Sequence, residues 1–178
     1  MENFIFKATA ITTIALLQAY FFASFSFHGC VASFALMAAV AWTIISGFEK
    51  AWIYAVFLGI FVDFLAFDIV GKNAILFIFS AYIVSFISKR LLIESRGWSF
   101  LLVFLLIISV TFLNNFSVVN LFSWQGGVVE FFGGGAASFF KGVLAGSFCN
   151  IIAFYFLYWA ISRMEKRLAF YESAVNIK

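Results

Sequence analysis

The chain has 178 residues, 65% hydrophobic and 11% charged, with a formal net charge of +3. A soluble domain carries about 25% charged residues, so this composition excludes one and fits a single integral membrane unit. The excess positive charge calls for no nucleic acid, because membrane topology and anionic lipid headgroups account for it.

Phe fills 28 positions and Pro none, so turns have to be made by Gly, Ser, Asn and charged residues. Two cysteines, Cys30 and Cys149, make no disulfide framework and read as reduced, small apolar residues.

A span needs about 20 apolar residues to cross a hydrocarbon core of roughly 30 Å, so charges mark where crossings stop. No Asp, Glu, Lys or Arg lies between Lys7 and Glu49. That run predicts a hairpin of two spans, about 6–26 and 30–48, turning at Ser26-Phe27-His28-Gly29. A third span is expected over about 51–67 and a fourth over about 73–88. The charged stretch Lys89 to Arg96 precedes a fifth, about 98–118. A loop with Trp124, Glu130 and five glycines leads to a sixth, about 138–161, which ends in the basic run Arg163 to Arg167. The apolar run of the first span is too long for a signal peptide, and Glu2 sits where such a peptide is basic, so the first span is expected to be retained.

Six spans put both termini on one side. The segments on that side hold Lys7, Lys50, Lys89, Arg90, Arg96, Arg163, Lys166, Arg167 and Lys178, against Lys72 and Lys141 on the other. The positive-inside rule then places both termini in the cytoplasm. Trp52, Trp98, Trp124 and Trp159 fall near span ends, as interfacial anchors should, and the many Phe residues read as lipid-facing.

Two aspartates interrupt the oily stretch GIFVDFLAFDIVGKNA, residues 59–74. Counted from Lys50 at 1.5 Å per residue, Asp63 lies about 20 Å along the helix, inside the hydrocarbon, and Asp68 about 27 Å, at the outer interface. Asp68 reads as an interfacial partner of Lys72. Asp63 shares a helix face with Gly59. It reads as a buried carboxylate accepting hydrogen bonds from Asn73, Asn114, Asn115 or the N–H groups around Gly71. An ion or proton site is the other reading, since a charge in the bilayer costs about 2.5–3.5 kcal/mol and is kept for a reason.

Chemistry of an enzymatic kind finds no residues to carry it. There is one His, and Asp63 and Asp68 diverge by about 140° on a helix, so they form no dyad. Gly133-Gly134-Gly135 lacks the strand and Lys of a phosphate loop. No cofactor is expected. On the sixth span Gly142 and Gly146 make a G-x-x-x-G step, with Asn150 one turn further on the same face. Such a face lets helix backbones approach closely in lipid, either within the chain or against a partner.

Gly59-x-x-x-Asp63, followed by Gly71-x-Asn73-Ala74, resembles the pattern of the rod shape-determining protein MreD family at the outer end of its third span. Trp42 in the second span, the Glu49-Lys50 break and the basic tail Arg163 to Arg167 agree with it. The chain departs from the family in having no Pro before Gly71, where Asp68, Ile69 and Val70 stand. The resemblance implies an all-α integral membrane protein of the bacterial cytoplasmic membrane. Its fold would be a six-transmembrane-helix bundle similar to the substrate-capturing subunit of energy-coupling-factor transporters. It further implies a non-enzymatic scaffold for cell-wall elongation. Its expected partners are an MreC-like single-span protein, an actin-like filament protein, a SEDS-type glycosyltransferase, a penicillin-binding transpeptidase and membrane lipids. A vitamin-binding transporter subunit is the alternative, and would need a polar and aromatic pocket under the outer loops.

Overall fold

The computed structural model describes residues 2–22, 33–67, 69–91, 103–112 and 136–175. Among these the fold is all-α, with no strand. The helices are α1 (Glu2–Leu16), continued by a π-helical segment (Leu17–Phe22), α2 (Phe34–Ser46), α3 (Phe48–Leu65), α4 (Lys72–Leu91), α5 (Val103–Phe112) and α6 (Ala136–Val175). The hairpin turn expected at Ser26 to Gly29, the glycine-rich loop, Trp98, Trp124, Asn114 and Asn115 lie outside the described residues.

α2 is the hub. Every side chain from Ala35 to Thr43 is buried, and α1, α3, α4 and α6 all pack against this one helix. A helix apolar on every side has no lipid-facing stripe to present and belongs inside. Its four alanines, Ala35, Ala38, Ala39 and Ala41, let neighbours close in around it. Trp42 and Leu36 supply the bulk, both fully buried.

With 13 residues, α2 is about 20 Å long, shorter than the span of about 30–48 expected from hydropathy. It begins inside the protein, where its first N–H groups need partners from elsewhere. Gln18 of the π segment accepts from the Ala35 N–H at 3.3 Å, and Asn150 of α6 accepts from the Ser33 N–H at 2.8 Å. The short helix is thus capped by two side chains distant in sequence.

The break between α2 and α3 is a single residue. Gly47 has φ +76, a left-handed conformation that costs glycine little. Its N–H closes α2 on the Thr43 carbonyl at 3.0 Å, and its carbonyl opens α3 by accepting from the Ala51 N–H at 3.1 Å. Glu49 and Lys50 therefore lie in the first turn of α3 rather than in a loop before it, and Glu49 sits at the positive end of the helix dipole.

One described helix, Lys141–Leu168, is long and apolar enough by itself to cross a membrane. α3 has 18 residues but includes Glu49, Lys50 and Asp63. α6 continues through the basic run to Val175, 40 residues or about 60 Å, well beyond the expected end near 161. The side chains turned outward are mainly aromatic and aliphatic: Phe57, Phe64, Phe79, Phe86, Phe148 and Phe156 are all exposed, while Phe77 and Phe154 turn into the core.

The cysteine reading is corrected. Cys149 is disulfide-bonded, so it is not a reduced thiol. Cys30, the other cysteine of the sequence, lies outside the described residues.

Candidate functional site

The α3–α4 corner brings together four of the residues singled out in the sequence. α3 ends at Leu65, and Phe67 turns the chain with φ +53, almost wholly solvent- or lipid-exposed at 97%. Gly71, at φ +99, completes the turn and α4 starts at Lys72. Asp68, and with it the expected pair with Lys72, lies outside the described residues. Ile69 and Val70, just before Gly71, form an exposed apolar tip.

Asp63 has no exposed surface at all. Its carboxylate accepts from the Gly71 N–H at 2.8 Å, from the Asn73 N–H at 3.2 Å and from the Asn73 side-chain amide at 2.7 Å. The first N–H groups of any helix lack intrahelical partners, and the dipole makes that end positive. Asp63 therefore caps α4 from the neighbouring helix. The donors are those expected around Gly71 and Asn73.

One turn before Asp63, Gly59 sets the spacing of the two helices. A Cβ placed there would lie 2.4 Å from both Cα and N of Ala74 and 2.8 Å from the carbonyl carbon of Asn73. Those are backbone atoms with no freedom to swing aside. Gly59 lets α4 approach, and Asp63 holds it there. No described pair of helices is in more extensive contact than α3 and α4.

On α6 the structure separates the two glycines. Gly146 is buried, and a Cβ there would meet the Thr111 methyl of α5 at an ordinary 3.7 Å. Gly142 is exposed, with nothing described within 4 Å of a Cβ. Asn150, 2% exposed, donates to the Thr111 hydroxyl at 3.0 Å while its carbonyl caps α2. This one amide ties α2, α5 and α6 together.

A second polar cluster went unrecognised in the sequence. Lys7 of α1 pairs with Glu165 of α6 at 3.0 Å and donates to the Tyr54 hydroxyl of α3 at 3.1 Å. Glu165 also accepts from the Trp42 indole N–H at 3.0 Å. Trp42 stacks at a tilt against Tyr54, centroids 5.0 Å apart. Four helices meet at this network, with Trp42 fully buried. The signal was present: Lys7 and Glu165 are opposite charges flanking the first and last long apolar stretches of the sequence. Only the cations were weighed for topology, and a separation of 158 positions gives no local pattern that joins Lys7 to Glu165.

Alongside the cluster runs a groove of about 450 Å³ between α1 and α3. Lys7 and Tyr54 stand at one end, and Ile11, Ile53, Phe57 and Phe61 line the rest. No group of His, Cys, Asp and Glu able to hold a metal occurs among the described residues.

Comparison with known protein families gives a match over most of the chain. The model of the rod shape-determining protein MreD family covers residues 3–158. No curated protein and no solved structure matches the chain. The matched region takes in α1 through most of α6, including the Gly59–Asp63–Gly71–Asn73 corner, the Trp42–Tyr54 contact and Asn150. With nearly the whole chain covered and its quoted motif assembled at one helix corner, the protein belongs to the rod shape-determining protein MreD family.

Proposed function

We propose that this protein is a non-enzymatic scaffold of the bacterial cell-wall elongation complex, spanning the cytoplasmic membrane six times with both termini inside. The family match over residues 3–158 carries the reading, and a role in rod shape determination follows from it. Three features support the orientation. Nine cations fall on the side of the termini against two on the other. The Lys7–Glu165 pair brings the two terminal helices together at that side. Cys149 lies 16 residues before Glu165, about 24 Å along α6, and a disulfide persists in an oxidising, extracytoplasmic setting.

Topology is read by single-cysteine variants on a Cys30→Ser, Cys149→Ser background. Cysteines placed near Ser26 and Gly134 react with an impermeant thiol reagent applied to intact cells, and those near Gly47, Ser95 and Ser173 do not. Labelling of the second group would contradict both-ends-inside.

A scaffold works through its faces. The apolar groove between α1 and α3 supports this reading: an MreC-like partner's transmembrane helix could pack there, since in lipid close van der Waals contact is what holds helices together. Depleting the protein is expected to turn rod-shaped cells round. The purified chain is expected to retain an MreC-like partner in detergent, and Phe57→Ala with Phe61→Ala to release it while folded yield stays near wild type. Cells that remain rod-shaped on depletion but need a particular vitamin would replace this reading with the transporter one.

A further inference from the structure

Arg163, Lys166 and Arg167 recur at intervals of three and four, so they share one face of α6 just where its apolar span ends. All three side chains are exposed, and none has an ion pair among the described residues. Glu165, the acidic member of the same run, is occupied by Lys7 and Trp42 instead. Like charges this close repel one another, so the face lacks an anion. The three cations border a groove of about 830 Å³ between α6 and Phe6 of α1, whose apolar lining also includes Trp159 and Met164. Phe6 is 61% exposed and Trp159 56%. The Arg163 guanidinium lies over the Trp159 ring, 4.5 Å from its centroid. That stacking fixes the cation at the level of an interfacial aromatic and leaves its in-plane N–H donors available for a phosphate.

We propose that this groove is a binding site for one anionic phospholipid of the cytoplasmic leaflet. The phosphodiester is held by Arg163, Lys166 and Arg167, and the acyl chains lie along Phe6 and Trp159. A soluble anion would not need the apolar floor, and a neutral lipid would not need three cations. The proposal rests on the cytoplasmic placement of the α6 end argued above.

The test uses the purified full chain in detergent, with phosphatidylglycerol, phosphatidylcholine and inorganic phosphate as separate probes and native mass spectrometry as the readout of retained lipid. Phosphatidylglycerol is expected to be retained in preference to phosphatidylcholine, and millimolar phosphate is expected not to displace it. Each cation near an anionic headgroup is worth about fivefold in affinity, so Arg163→Gln with Arg167→Gln should weaken retention about twenty-five-fold. Lys141→Gln, on the same helix but far from the groove, should leave it unchanged, and Arg163→Lys with Arg167→Lys should hold it within about threefold. Retention by wild-type protein should also fall as salt is raised, a measurement that needs no variant. Equal retention of phosphatidylcholine, displacement by phosphate, or undiminished binding in the folded Gln variant would each overturn the site. Failure here with the labelling pattern intact refutes the lipid site alone; a reversed labelling pattern refutes the orientation beneath it.

Discussion

Gly59→Val is expected to leave almost no folded protein in the membrane, and Gly59→Ala to destabilise it severely. The cause is local and steric. An added Cβ would stand 2.4 Å from the Ala74 backbone, so α3 and α4 must separate by an ångström or more. Asp63 is one turn further along the same face, with its bonds to Gly71 and Asn73 at 2.7–3.2 Å. A displacement that relieves the clash stretches those bonds past useful length. Overpacking usually costs about 1–3 kcal/mol, and loss of the cap places Gly59→Ala at or above the top of that range. Gly142→Ala is the control, because nothing described lies within 4 Å of its Cβ and alanine is the better helix former by about 0.5–1 kcal/mol. Gly146→Ala meets only the Thr111 methyl at 3.7 Å and should be mild. Folded yield from membranes and the midpoint of thermal unfolding in detergent measure the series. Equal midpoints for Gly59→Ala and Gly142→Ala would show that the close approach does not hold the hairpin.

Asp63→Leu is the second large effect. It removes both oxygens from a fully buried site and leaves the Gly71 N–H, the Asn73 N–H and the Asn73 amide without an acceptor. A buried donor left unsatisfied costs about 1–3 kcal/mol, and three of them in one place should prevent α4 from seating. Asp63→Asn has a more specific outcome. Its one carbonyl oxygen can still serve both donors of Asn73, but its NH₂ group then faces the Gly71 N–H, donor to donor. The amide variant should therefore fold, less stably than wild type and far better than the leucine one, and should support rod shape in cells. A folded Asp63→Asn protein that fails to restore shape would give Asp63 a proton- or ion-handling role instead. Should Asp63→Leu fold as well as Asp63→Asn, the cap is not what seats α4.

Composition and charge spacing were sufficient to identify a helical membrane protein, because apolar length and the placement of cations are one-dimensional properties. The Gly59–Asp63–Gly71–Asn73 spacing was equally legible, since all four residues fall within one hairpin and local geometry brings them together. Helix ends were less so. Hydropathy does not distinguish a residue facing lipid from one facing another helix, so a 13-residue buried helix looked like a full span. Asn150 and Gln18 cap α2 from positions 117 and 17 residues away from their donors, a relation no local pattern encodes.

What the sequence by itself determined, then, was the family, the all-α class and the α3–α4 corner. Tertiary structure alone decided that α2 is the hub, that Gly146 is packed while Gly142 is open, and that Lys7, Trp42, Tyr54 and Glu165 form one network. The physical reason is the same in each case. In an oily chain nearly every face is apolar enough to be buried. The faces that meet are therefore chosen by backbone approach at small residues and by the few polar groups that must find one another across the bundle.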